Sequence, residues 1–229
     1  MKIFHVHTYR CNHASDETDE QYVLKAIQMK ASDIYFTDHA PFPGNPFGNR
    51  MKIEQLNEYI SSIERLKYLY KNDITVHSGL EIEYLPTFDS YYEKLCSIKE
   101  LDILMIGQHF CEISPEKYSF SIKQTPLEYA ESINFSTIAG ISTGLFSHIA
   151  HPDRMFRHCQ SWSAAMSTIS NDIISAVQKE NIILERNLYS IENGTYWPEF
   201  WKHVPNTIKT IYGTDAHCTH EIDRINNIL

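Results

Sequence analysis

The sequence predicts an α/β domain built on parallel strands, as an open sheet or a closed barrel. Three observations carry that prediction. Short β-branched or apolar runs recur along all 229 residues, segments of helical periodicity lie between them, and no linker, repeat or low-complexity tract divides the chain. The runs are Ile3–Val6, Ile34–Thr37, Ile74–Leu80, Ile103–Ile106, Leu145–Ala150, Ile182–Leu184 and Ile208–Tyr212, each of a length and composition that suits a buried strand. Within 52–71, Ile53, Leu56, Tyr59, Ile60, Ile63 and Leu66 recur at spacings of three and four while Glu and Lys take the other face, which predicts an amphipathic helix. Segments 19–31, 88–100, 125–140 and 162–180 carry weaker forms of the same pattern, the last open to interruption at Ser170-Asn171-Asp172.

Composition narrows the function classes. With 42% apolar residues the chain can bury one core, so residues 1–229 are read as a single domain. No apolar run approaches the ~18 residues of a membrane span. The start, MKIFHVHTYR, places histidines where a secretion signal needs its apolar stretch, so the expectation is a soluble, cytoplasmic protein with no membrane partner. Five cysteines without a CxxC argue against a disulfide framework. A net charge of −9 weighs against long nucleic acid, and no Walker or GxGxxG loop is present. No feature specifies an oligomeric state. Histidine, with twelve copies, is the residue in excess.

The histidines and acids fall where strands end. The seven runs finish in His5-Val6-His7, Asp38-His39, Glu81-Ile82-Glu83, Gln108-His109, His148-Ile149-Ala150-His151-Pro152-Asp153, Glu185-Arg186-Asn187 and Asp215-Ala216-His217. In an extended strand positions i and i+2 share a face, so His5 and His7 can point at one ion. A barrel of parallel strands carries its site at these C-terminal ends. Burying so many imidazoles and carboxylates without compensating cations is costly, and mixed nitrogen and oxygen donors suit Zn²⁺, Fe²⁺ or Mn²⁺. The number of donors exceeds what one ion can take, which implies two or three.

His5-Val6-His7-Thr8, Cys11-Asn12-His13-Ala14-Ser15-Asp16 and Phe36-Thr37-Asp38-His39-Ala40-Pro41-Phe42 resemble the polymerase and histidinol phosphatase (PHP) superfamily, most closely its monofunctional histidinol-phosphatase branch. Gly79-Leu80-Glu81, Ile106-Gly107-Gln108-His109-Phe110, Ala150-His151-Pro152-Asp153 and Asp215-Ala216-His217 follow in the same order, so the resemblance spans 3–217. It implies a distorted, TIM-like (β/α)7 barrel with three divalent ions. His5, His7, Glu81 and Asp215 would hold the first. Glu81 would bridge to a second, also held by His109 and His151, and His13, His39 and His217 would hold the third. His151 rather than His148 matches the motif, and His148 is read as packing. Two departures stand out: Arg186 inside the Glu185–Asn187 segment, and only twelve residues after His217.

The remaining polar residues have expected roles. Asp16, Asp38 and Asp153 are candidates to accept the second N–H of a ligating imidazole, Asp38 equally a helix cap. Glu83 is read as outward-facing, with contact to the metal site as the alternative. Arg154 and Arg157 are expected to bind phosphate, Arg154 assisting catalysis, with Arg10 and Arg50 weaker candidates. The loop 40–50 is either a wall over the site or a connector, and Cys11 and Cys218 are read as buried or incidental. The expected reaction is hydrolysis of a small phosphate monoester by metal-activated hydroxide, with L-histidinol phosphate of histidine biosynthesis as the implied substrate. His217, Asp16 or a metal-bound water would protonate the leaving alkoxide. The alternatives are a PHP-type phosphodiesterase or nuclease and a non-catalytic PHP module.

Overall fold

The computed structural model describes residues 1–228. Seven parallel strands form one sheet in chain order: β1 (Lys2–Val6), β2 (Asp33–His39), β3 (Thr75–Ile82), β4 (Ile103–Ile106), β7 (His148–Ile149), β8 (Ile183–Asn187) and β9 (Thr210–Gly213). The first and last strands then meet. Thr214 N donates to Phe4 O (2.8 Å), His7 N to Ala216 O (2.9 Å) and Ala216 N to His5 O (3.1 Å), which closes the sheet into a barrel. All seven apolar runs are strands of this barrel, although β7 is reduced to two residues.

Helices α1 (Asp19–Gln28), α2 (Leu56–Leu69), α3 (Asp89–Cys96), α4 (Pro126–Ser142) and α5 (Ala164–Glu180) cover the outside. Their starts are set locally: Thr18 with Gln21 and Thr125 with Glu128 form capping boxes, and Ser163 caps α5. The α2 stripe of Leu56, Tyr59, Ile60, Ile63 and Leu66 is buried, as its periodicity predicts. Helix α5 runs unbroken through Ser170, whose hydroxyl donates to the Met166 carbonyl (2.8 Å) and so is satisfied without leaving the helix.

Two insertions were not foreseen. A small antiparallel hairpin, β5 (Glu112–Ser114) with β6 (Lys117–Tyr118), follows β4. Two short helices, α6 (Leu188–Glu192) and α7 (Pro198–His203), separate β8 from β9. Both segments are too short for periodicity to reveal them.

Outward strand residues such as Ile3, Ile34, Phe36, Leu80, Leu104 and Leu184 join the main core under the helices. A second, separate cluster of Phe4, Ile103, Met105 and Ala150, with Tyr35 and Ile211 against it, fills the barrel interior. That packed interior is a floor, and the site stands on it.

Candidate metal centre

Strand register decides what reaches the site. His39 pairs with Glu81 and Glu81 with Met105, so these side chains share the inward face. Glu83 lies two residues beyond Glu81 and keeps that parity. It is buried, and it accepts from His109 Nδ1 (2.9 Å) and from Arg50 Nη1 (3.0 Å) and Nη2 (3.2 Å). The outward reading of Glu83 is therefore corrected by the same period-two rule that places Glu81 inside.

His5 arrives by a different route from the one expected. Between Ile3 and Val6 the register with β2 slips, and His5 sits at φ +67°. This bulge adds a residue and turns His5 inward above Phe4, beside His7, with ring centroids 4.9 Å apart. His151 (φ +33°) and Asp215 (φ +50°) are also left-handed. Three non-glycine residues in that sparsely populated region, all at strand ends facing one site, are a concentration of backbone strain of the kind that function maintains.

The side chains converge on Glu81. Its Oε2 lies 3.3 Å from His5 Nε2, 3.5 Å from His7 Nε2 and 3.2 Å from His39 Nδ1. Its Oε1 faces His151 Nε2 (2.9 Å) and His109 Nε2 (3.7 Å). Asp215 Oδ1 lies 3.3 Å from His7 Nε2 and 3.8 Å from His5 Nε2. His13 and His217 meet through their Nε2 atoms at 2.9 Å. All nine residues proposed as ligands thus gather at one end of the barrel. Gly107 makes this possible, because a Cβ there would overlap the Glu81 carboxylate.

The electrostatics are those of a cluster short of cations. Burial would raise Glu81, but His5, His39 and His109 hold it well below the ordinary carboxylate range. Asp215 is likewise held low against its burial, chiefly by Arg154 and His5. Burial alone would lower His5, yet Glu185, Glu81 and Asp215 raise it well above 6.5; His7, also opposed by burial, is raised to about 9 by the nearby carboxylates of Asp215 and Asp38. Burial pushes His151 down to about 4 and His217 to about 3, so both are neutral, the form that ligates metal. Both ring nitrogens of His7 are buried without a hydrogen-bond partner among the described residues. An orphaned imidazole among carboxylates fits a divalent cation, which needs lone pairs and supplies the missing charge.

Several sets of three donor atoms lie within 4.8 Å of one another: His5, His7 and Glu81; Glu81, His109 and His151; His7, His39 and His217. Cys11, with His13 and His217, makes a further set, so its buried thiol borders the cluster rather than being incidental. Burial raises that thiol to about 12.

Above the cluster opens a cavity of about 820 Å³, lined by His13, His39, His109 and His217 and by Arg154. Arg154 donates to Asp215 Oδ2 (2.7 Å) and Asn187 Oδ1 (3.0 Å) through Nη2, while Nη1 has no partner among the described residues. Pro46, Phe47, Gly48, Asn49 and Arg50 line the cavity too, so the loop 40–50 is a wall.

The other expectations divide. Asp38 accepts from Thr8 Oγ1 and from the His39 N–H (2.8 Å) and lies 3.6 Å from His7 Nδ1, so it stands beside an imidazole and caps no helix. His148 packs, stacked on Phe4 at 5.2 Å. Asp153 is corrected: it accepts from Trp197 N (2.8 Å) and Trp201 Nε1 (3.1 Å), tying the α7 region down instead of holding an imidazole. Arg10 is corrected as well, being consumed by Asp19 (2.8 and 2.9 Å) and Glu58 (2.7 and 2.8 Å). Asp16 is exposed and is not among the residues lining the cavity. Arg157 is exposed, donates to Tyr129 Oη (2.8 Å) and lines a smaller neighbouring cleft. Cys218 is half-buried, its sulfur 3.1 Å from His220 Nδ1.

Glu185 stands at a strand end in the sequence but is given no role there. It is fully buried beneath the proposed ligands, its Oε1 2.5 Å from His5 Nδ1. Its inward parity with Asn187 was the available signal. Arg186, between them, points outward to Tyr196 Oη (2.8 Å) and over the Trp201 ring, so the unexpected arginine leaves the site untouched.

Comparison with known proteins agrees with this architecture. The PHP domain model matches residues 4–188, ending short of Asp215 and His217, which barrel closure supplies. A histidinol-phosphatase of Bacillus subtilis is 24% identical over 246 aligned positions, covering 93% of this chain and 92% of the relative. A candidate histidinol phosphatase from Listeria monocytogenes superposes with a TM-score of 0.81 at 19% identity, covering 100% of this chain and 99% of the other. The histidinol phosphate phosphatase of Lactococcus lactis, solved with zinc, L-histidinol and phosphate, gives 0.79 at 18% identity over 99% and 91%. The motifs, the closed seven-stranded barrel and the matched span together place the chain in the PHP domain family.

Proposed function

We propose that this protein is a metal-dependent histidinol-phosphatase, hydrolysing L-histidinol phosphate to L-histidinol and phosphate in histidine biosynthesis in the cytoplasm. The observation that carries the reading is the convergence of seven imidazoles with Glu81 and Asp215 beneath an open cavity that Arg154 lines. The Bacillus subtilis relative bears that name along nearly its whole length, and the Lactococcus lactis structure holds the two products with zinc.

The donor set fits three divalent ions of zinc, iron or manganese. His5, His7, Glu81 and Asp215 would hold the first, Glu81, His109 and His151 the second, and His13, His39 and His217 the third. Glu81 suits a shared position because its two oxygens face different imidazoles. When bound, such ions supply a nucleophilic hydroxide at neutral pH and offset the charge on the phosphoryl oxygens.

The side chains do the rest. In a protein of net charge −9, attraction for an anion has to be local; two guanidiniums line the cavity, and Arg50 is paired with Glu83, which leaves Arg154 as the one proposed to meet the phosphate. Asp215, Asn187 and Ser190 fix its plane and leave Nη1 to donate to a phosphoryl oxygen. Glu83 orients His109, and Asp38 stands beside His7. Attack by water oxygen on phosphorus breaks the bond to the histidinol oxygen, which leaves with a proton. His217 lines the cavity, but as a neutral ligand with its Nδ1 facing the Asp215 carbonyl it has no proton to spare, so water at the cavity is left as the proton source; Asp16 and Arg157 lie outside the lining of this cavity.

A substrate panel tests the reading. With metals supplied, phosphate release is expected from L-histidinol phosphate far above other monoesters, and none from a dinucleotide diester. Preference for the diester, or no turnover of any monoester, overturns it.

A further inference from the structure

We infer that Glu185 is a positioning residue that presets two metal ligands at once, and that the site requires its carboxylate rather than only its shape. The inference rests on the metal-centre reading above. Glu185 ends β8 fully buried, and both of its oxygens are used. Oε1 accepts from His5 Nδ1 at 2.5 Å; Oε2 accepts from the His151 backbone N–H (2.8 Å) and from Asn187 Nδ2 (3.2 Å). His5 and His151 belong to different strands, and both sit in left-handed backbone that only surrounding contacts can maintain. One carboxylate therefore holds two strained residues, one beside each oxygen of Glu81.

The chemistry is directional. With its Nδ1 proton on Glu185, His5 keeps the Nε2 lone pair free on the side where Glu81 and Asp215 lie, at 3.3 and 3.8 Å. A glutamine of the same volume cannot reproduce this. Its single carbonyl oxygen goes to the two donors at Oε2, and its NH2 then faces His5 Nδ1. That pairing needs an unprotonated Nδ1 and moves the imidazole proton to Nε2, the atom that must ligate. Gly213 shows how closely the chain fits this acid, because a Cβ there would overlap its Oε1.

The test is a Zn²⁺ titration of the chelator-stripped protein and of Glu185→Gln, followed calorimetrically, with far-UV circular dichroism confirming that both are folded. Glu185→Gln is expected to weaken one site by roughly 10–100-fold. Equal zinc affinity at every site in the folded variant overturns the inference. Should the variant not fold, long-range ¹H–¹⁵N spectra of the zinc-loaded unaltered protein decide. A His5 proton on Nδ1 supports the inference, and one on Nε2 overturns it. If the unaltered protein binds no zinc, manganese or iron, the metal-centre reading itself fails, a result distinct from normal binding that Glu185→Gln leaves unchanged.

Discussion

The two ends of the barrel interior are built from the same strands and obey opposite rules. At the N-terminal end inward side chains find partners among themselves. Phe4, Ile103 and Met105 pack, His148 stacks on Phe4, and Tyr35 stacks on His77 at 4.0 Å while His77 Nε2 meets Asp33 at 3.0 Å. One layer above, Glu81, Glu83, Glu185 and Asp215 crowd with imidazoles, and both nitrogens of His7 lack a hydrogen-bond partner among the described residues. The lower layer is complete without any added group. The upper layer is the one the proposed cations would complete, so the contrast separates buried polar groups that serve stability from those proposed to serve chemistry.

That contrast can be broken from either end. The largest effect is expected for His7→Ala. It should reduce phosphate release by roughly 10³-fold or more, since metal charge stabilisation amounts to several kcal/mol, while circular dichroism shows the barrel intact. Near-normal turnover would remove His7 from the centre.

Next, Phe4→Ala should act in reverse. Truncating a fully buried aromatic is expected to cost about 3–5 kcal/mol in denaturant unfolding, while the folded variant keeps its metal stoichiometry. Unchanged stability would mean that the floor is not packed as described.

A smaller effect sharpens the comparison through pH. Burial holds His148 at about 4, below the 6.5 of an exposed imidazole. Between those values the unfolded chain binds a proton that the folded chain refuses. The stabilisation is thus full above pH 6.5 and is lost as pH falls toward 4, by an amount on the order of 2–3 kcal/mol. Urea unfolding of chelated protein at pH 7 and pH 4.5 should show a loss that His148→Phe reduces. An equal loss in the variant would assign the pH dependence elsewhere.

Much of this was legible in the amino-acid order. The seven strand runs fix the barrel, and a His, Asp or Glu at each strand end marks the site because the period of two makes alternate residues share a face. What was not legible depends on contacts distant in sequence. Asp153 looks like a partner for an imidazole until α7, which periodicity does not reveal, brings Trp197 and Trp201 to it. Arg10 resembles a phosphate binder until Asp19 and Glu58 enclose it. His5 reaches the site through a bulge, which simple alternation does not describe. Glu83 was within reach, as it continues the parity of Glu81.

The most direct measurement is metal content and L-histidinol phosphate turnover on one preparation, as purified, after chelation, and after restoring zinc, manganese or iron. The account predicts up to three ions per chain, loss of phosphate release on chelation with the fold retained, and recovery as the ions return. Undiminished turnover by metal-free protein would contradict it.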